Sequence, residues 1–223
     1  RKNQKKINFI GKSTMKLFFD EKEFKNLLTN LKIEKTVSGG SVANSIVGIS
    51  QLGDKAGFIG KIADDVFGSN YEEGLKKENV EYYYSKKKEE LPTGTCLILV
   101  TPDSERTMCT FLGTAGKINE SDVDVDAVKE SEIILLEGYL WDEGDPKKAF
   151  EKAITNANKV AMSLSDQFCV DRHKPHFLEL VKNKLDITFA NEQEIMSLID
   201  AKSFNDVIDF SKNLGKLIVI TRG

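Results

Sequence analysis

The sequence predicts an α/β protein: a mostly parallel central sheet with helices on both faces, carrying a small antiparallel β lid. Three observations predict it. Short apolar, often β-branched runs alternate with helical stretches along most of the 223 residues, the pattern of a parallel sheet with crossover helices. One stretch, 81–113, breaks that alternation with three strand-like runs and no helix between them. Finally, 40% of the residues are hydrophobic and 30% charged, an ordinary globular balance with enough length for one large core. With no internal repeat and no Pro/Gly-rich linker, a single domain over 1–223 is expected.

Taken in order, the predicted strands of the parallel sheet are 7–11, 56–61, 133–137, 160–165, 186–190 and 217–221. Each is a short apolar run, as expected of strands buried on both faces. The predicted helices are 21–31, 42–52, 65–79, 146–159, 177–182, 192–199 and 204–214. Pro146 suits a first helical turn. Gly53 and Gly215 stand where helix C-caps fall. In the exceptional stretch, runs 81–86, 95–101 and 107–113 form the lid group, and 15–19 is a further candidate strand for it. Pro102-Asp103-Ser104-Glu105 supplies the turn between the last two runs. Such an insert is a cover that keeps water from a reacting group, or else an edge extension or dimer surface.

Composition excludes several classes. Thirty-two Lys and Arg against 35 Asp and Glu leave a net charge of −3, so no broad basic field for nucleic acid is expected. Arg1, Lys2, Lys5 and Lys6 read as a solvated terminus. No apolar run reaches transmembrane length, and no signal-peptide core follows the basic start, so no membrane association is expected. Three widely spaced cysteines, Cys96, Cys109 and Cys169, fit a reduced, cytoplasmic setting. Cys169, His173 and His176 lie close in sequence, but a closed zinc site needs four ligands. Asp171 and Pro175 read instead as helix-start residues, with the histidines in the first turn.

Candidate chemistry sits at helix starts and strand ends. Ser38-Gly39-Gly40-Ser41-Val42-Ala43-Asn44 puts two glycines before a helix and an Asn one turn inside it. Backbone without a Cβ lets a ligand approach closely, and N–H groups at a helix start donate to ligand oxygens. By itself Gly-Gly before a helix is equally a tight turn. In an open α/β sheet ligands bind beyond the carboxyl ends of the strands. There the sequence delivers Glu137-Gly138-Tyr139, Asp166, Asn191-Glu192-Gln193-Glu194 and Thr221-Arg222-Gly223. Any one of these is also a plausible helix cap, and Asn191-x-x-Glu194 has the form of a capping box.

Gly39-Gly40-x-x-x-Asn44, then Leu52-Gly53, then Phe58-Ile59-Gly60-Lys61 with Asp64, Asp65 and Gly68, resembles the N-terminal signature of the PfkB (ribokinase-like) carbohydrate and nucleoside kinases. Asn191-x-x-Glu194 is a second match. The resemblance covers essentially the whole chain and implies a ribokinase-like fold. It implies an ATP-dependent kinase that transfers the γ-phosphoryl group to a hydroxyl of a nucleoside or sugar. Within the family, Thr93-Gly94-Thr95-Cys96, the Glu105-Arg106 hairpin and Leu136-Glu137-Gly138-Tyr139-Leu140-Trp141 look most like bacterial adenosine-kinase-like members, implying adenosine to AMP.

Carried over residue by residue, the resemblance implies that Gly39, Gly40, Asn44 and Glu137 hold the acceptor. Tyr139 stacks on a purine base, unless it is a core aromatic. Asn191 and Glu194 help order Mg²⁺ and phosphate, with Glu194 near the metal through water. Arg106 reaches a phosphate from the lid, unless it is a solvated hairpin Arg. Thr221 and Gly223 lie beside the nucleotide. The cofactors implied are ATP and Mg²⁺, the partner is a small molecule, and the assembly is a monomer or a lid-mediated homodimer. Other PfkB sugar kinases, of ribose or fructose type, and a non-catalytic nucleoside- or sugar-binding member remain alternatives.

Two departures stand out. The family carries an Asp near the end of its first strand, where this chain has Phe9-Ile10-Gly11-Lys12-Ser13. The family's Gly-Ala-Gly-Asp motif, with the Asp that takes the proton of the attacking hydroxyl, would lie beyond Gly223. The sequence is therefore expected to be incomplete at its C-terminus and in the loop after Gly11.

Overall fold

In a computed structural model of the protein, residues 15–18, 20–29, 31–84, 87–141 and 144–223 are described. They fall into two compact units, divided after Ile118. The strand predicted at 7–11 lies outside the described residues.

The first unit opens with β1 (Met15–Phe18). Helix α1 (Glu21–Leu28) starts at Asp20, whose carboxylate accepts the backbone N–H groups of Lys22 and Glu23. Helix α2 (Ser41–Gln51) follows, then β2 (Ala56–Phe58), α3 (Val66–Lys77) and β3 (Val80–Tyr82). A hairpin of β4 (Thr95–Val100) and β5 (Arg106–Phe111) completes the unit.

The expected antiparallel pairing is present: β4 runs antiparallel to β5 from Thr95↔Phe111 to Val100↔Arg106. Strand β1 joins this sheet alongside β5, in parallel. The strand expected at 81–86 does not join the group. It is Val80–Tyr82, and it pairs in parallel with β2. The reason is packing: Val80 is 2% exposed and buries against Ala43 and Leu75, with Phe58 and Tyr71 at the margin. A parallel pair needs a crossover, which α3 provides. The hairpin has its own small core of Phe18, Phe24, Cys109 and Phe111.

The second unit is a four-stranded, all-parallel sheet in the order β6-β7-β8-β9. The strands are β6 (Ile134–Glu137), β7 (Val160–Ser163), β8 (Ile187–Asn191) and β9 (Leu217–Thr221). Helices α5 (Asp145–Asn156), α6 (Gln167–Asn183), α7 (Glu192–Leu198) and α8 (Phe204–Leu214) connect them. Burial on both faces holds for β7, where Val160, Ala161 and Met162 are all buried. Strands β8 and β9 alternate instead, and Phe189, Leu217 and Val219 are exposed. The core gathers Trp141, Met162, Leu164, Phe177, Ile195 and Leu198. Fully burying side chains of this size contributes about 1.5–3 kcal/mol each relative to exposure.

Two helices differ from expectation. A short α4 (Val125–Glu130), capped by the Asp124 side chain on Ala127 N–H, had too few residues to show a period. More instructive is α6, which begins at Gln167 rather than near Pro175. Asp166 is its N-cap, accepting Cys169 N–H at 2.7 Å. Asp171 and Pro175 therefore lie inside the helix, and the chain bends at His173 (φ −118°, ψ 17°). A proline cannot donate to the carbonyl four residues back and crowds it, so a kink next to it is expected. Buried residues on both sides, Cys169 and Val170 before and Phe177, Leu180 and Val181 after, hold the helix together across the bend. His173 packs its ring on Phe177 and His176 packs edge-on against Trp141. Among the described residues no group of three or more His, Cys, Asp or Glu is placed to hold a metal, and no helix is long and apolar enough to cross a membrane.

Candidate functional site

In the first unit, Gly39, Gly40 and Asn44 are all exposed. Gly40 is the N-cap of α2, with φ +109° and no side-chain cap on the helix start. That backbone conformation strains any side chain, so the second glycine is required by geometry. A Cβ on Gly39 would meet nothing within 4 Å. Asn44 N–H donates to Gly40 O at 2.8 Å, forming the first helical bond. Tyr71, whose hydroxyl would lie 4.0 Å from a Cβ at Gly40, is kept protonated by burial.

Arg106 is exposed on the first residue of β5, opposite Val100. It shares the exposed face of the hairpin with Cys96, Ile98, Val100 and Met108, while Thr107, Cys109 and Phe111 face inward. The hairpin is anchored through Thr93. Asp65 accepts Thr93 N–H at 2.9 Å, the Thr93 hydroxyl at 2.8 Å and Gly68 N–H at 2.7 Å. Desolvation pushes the Asp65 carboxyl up, but these donors outweigh it, and its pKa falls below 3.8.

In the second unit, parallel register puts the carboxyl ends of all four strands along one edge. Glu137 pairs with Ser163, Ser163 with Phe189, and Asn191 with Thr221. Six of the predicted residues lie along or just beyond this edge: Glu137, Tyr139, Asn191, Glu194, Thr221 and Gly223. Asn191 and Glu194 form the full capping box. Asn191 Oδ1 accepts Glu194 N–H at 2.8 Å, and Glu194 Oε2 accepts Asn191 N–H at 2.9 Å. Asn191 Nδ2 also donates to Glu194 Oε1 at 2.7 Å. Glu194 is only 5% exposed. Burial raises its pKa, the Asn191 N–H lowers it, and the nearby negative charge of Asp166 raises it again; the net shift is upward.

Tyr139 lies in a single 3₁₀ turn, Gly138–Leu140, directly after β6. Its hydroxyl donates to Ser165 O at 3.1 Å, and its ring packs on the core. Burial, reinforced by Asp166, Glu137, Cys169 and Glu194, pushes its phenol up to about 12. Three carboxylates thus crowd around one neutral phenol. Arg222 closes the edge beside β9. Its guanidinium pairs with Glu192 at 2.8 and 3.3 Å and lies over the Phe204 ring at 3.9 Å. Ser165, absent from the sequence-based candidates, carries φ +77°; nothing in Ser163-Leu164-Ser165-Asp166 announces that conformation.

The fold and this strand-end constellation define a class: a parallel α/β protein whose polar groups converge beyond the carboxyl ends of its strands. The pfkB family carbohydrate kinase profile matches residues 4–223, and the chain belongs to that family. Among solved structures, adenosine kinase from Sinorhizobium meliloti superposes with a TM-score of 0.88 at 33% identity, over 97% of this chain and 67% of that one. A probable sugar kinase from Rhizobium etli CFN 42 does so at the same score and identity, over 96% and 66%. A curated relative, 5-dehydro-2-deoxygluconokinase of Mesomycoplasma hyopneumoniae (strain 232), is 26% identical over 153 residues, 68% of this chain and 45% of its own length. The chain therefore spans less than half of that relative. The ribokinase-like α/β fold expected from the motifs is the one found.

Proposed function

We propose that the protein containing this chain is an ATP-dependent kinase that transfers the γ-phosphoryl group of ATP to a hydroxyl of a nucleoside, with adenosine to AMP as the reaction. The observation that carries this reading is the convergence of Asn191, Glu194, Asp166 and Tyr139 at one edge of the parallel sheet. Identity of 33% to an adenosine kinase across nearly the whole chain supports the acceptor.

Glu194 fits a magnesium ion held through water. Each of its carboxylate oxygens accepts one hydrogen bond from Asn191, which leaves acceptor capacity on both. Magnesium favours such sparse, water-rich ligation. When bound with ATP, the ion would neutralise charge on the β- and γ-phosphates. The chain's own residues bind and orient. Gly39, Gly40 and Asn44 hold acceptor hydroxyls, Glu137 accepts from the acceptor, and Tyr139 offers its ring to the base. Thr221 and Gly223 lie along the nucleotide, and Arg106 supplies a fork for a phosphate from the hairpin, the proposed lid.

A second reading, a kinase for a free sugar, draws support from the curated sugar-kinase relatives. We expect a monomer or lid-mediated homodimer working in the cytoplasm. The test is ADP release by the full-length protein with ATP and Mg²⁺, comparing adenosine, ribose, fructose and no acceptor. Turnover that depends on adenosine supports the first reading; turnover with a free sugar alone replaces it with the second. Adenosine binding without turnover would make the protein a non-catalytic binder.

A further inference from the structure

We infer that Ser165 is a positioning residue: its left-handed turn clamps Tyr139 at two points and so sets preference for acceptors that carry a planar base over free sugars. This rests on the kinase reading above and on Tyr139 facing the acceptor.

The clamp is built from both groups of one residue. Gly138 N–H donates to Ser165 Oγ at 2.6 Å, and Tyr139 Oη donates to Ser165 O at 3.1 Å. The turn after β6 is thereby tied, front and back, to the turn after β7. Gly138 has no room to drift. A Cβ there would lie 2.9 Å from Leu164 O and 3.0 Å from the Phe177 ring. With its base wedged and its hydroxyl held, the Tyr139 ring keeps one orientation.

Ser165 adopts φ +77°, a conformation that costs a non-glycine residue free energy and survives where surroundings over-determine it. The surroundings do so here. Ser165 N–H donates to Ser163 Oγ at 3.3 Å, and the next residue, Asp166, caps α6. Strained residues of this kind concentrate at ligand clamps. Stacking on a flat base depends on the ring plane, whereas a free sugar presents no plane to match. Loosening the clamp should therefore penalise one acceptor class and spare the other.

Ser165→Gly isolates the hydroxyl, because glycine accepts positive φ without strain. Tyr139→Phe cuts the other tie while keeping the ring. Both are made in the full-length protein. Amide hydrogen exchange at Gly138 reads the clamp itself, and steady-state kinetics with adenosine and with ribose read its consequence. In Ser165→Gly, exchange at Gly138 should quicken about tenfold, as for loss of one hydrogen bond. In Ser165→Gly, KM for adenosine should rise on the order of tenfold, with kcat within about twofold and ribose parameters unchanged, and Tyr139→Phe should raise KM for adenosine in the same direction.

If Gly138 exchange in Ser165→Gly matches wild type, the clamp does not exist and the inference is overturned. Adenosine and ribose kinetics falling together would make Ser165 merely structural, which also overturns it. Wild-type protein that turns over no nucleoside sinks the acceptor reading beneath it, and this selectivity with it, a result visible before any variant is made.

Discussion

Two helix starts in this molecule each use a side-chain carboxylate, Asp65 as an N-cap and Glu194 as the third residue of a capping box, and their pKa values shift in opposite directions. At α3, Asp65 caps the helix and reaches on to Thr93, taking three well-formed hydrogen bonds. At α7, Glu194 completes a capping box with Asn191. Desolvation acts on both. Donors win at Asp65, and its pKa is lowered. Burial and the charge of Asp166 win at Glu194, and its pKa is raised. A carboxylate saturated with donors is a structural staple. One buried beside like charge is short of positive charge, which a cation could supply. Perturbation of the second sort marks candidate functional sites.

The sharpest way to break this comparison is Glu194→Gln. If the kinase reading holds, kcat of the full-length protein should fall about 10–100-fold, the range for an outer partner of a metal site. Its unfolding free energy should stay within about 1 kcal/mol of wild type. A Gln variant that turns over like wild type would reduce Glu194 to a helix cap. Asp65→Ala should show the reverse: a loss of about 2–3 kcal/mol in urea unfolding, with kcat per folded molecule little changed. Asp65→Asn should lose less, since Asn is also a good cap.

The pH dependence sharpens the contrast. Asp65 has a lowered folded-state pKa, so its contribution is present above 3.8 and lost as pH falls through the folded value. Glu194 has a raised one, so its contribution is full below 4.5 and lost as pH rises through the folded value. Subtracting each Asn or Gln variant from wild type in acid unfolding series should give slopes of opposite sign; slopes of one sign would refute the assignment. The smallest effect belongs to Tyr139. Its phenol is raised to about 12, so that contribution persists below pH 10 and fades as pH rises towards 12. A wild-type-minus-Tyr139→Phe ultraviolet titration should show one phenol step near 12, and a midpoint near 10 would mean an exposed ring.

Much of the fold was legible because its signals are local. Helix α8 matches its predicted limits, 204–214, and ends on Gly215 in the left-handed conformation. Strand β9 also matches, at 217–221. The errors arose where distant packing outvoted a local rule. Pro175 reads as a helix start, yet five buried residues astride the bend carry α6 through it. The run at 81–86 reads as a lid strand, yet Val80 buries against Ala43 and Leu75 and pairs with β2. At the candidate site, Asn191 and Glu194 were readable from spacing. The place of Ser165 was not, because it rests on a φ angle and on two hydrogen-bond partners 26 and 27 residues away.

What the sequence determined by itself is the family, the alternation of elements and the polar groups at the strand ends. These depend on residue type and short spacing. Only the tertiary structure decided which end faces which. Parallel register across β6, β7, β8 and β9 aligns residues far apart in the chain, and burial at that edge sets the direction of the Glu194 and Tyr139 pKa shifts. Desolvation and Coulomb forces depend on distance through space, which spacing along the chain does not encode.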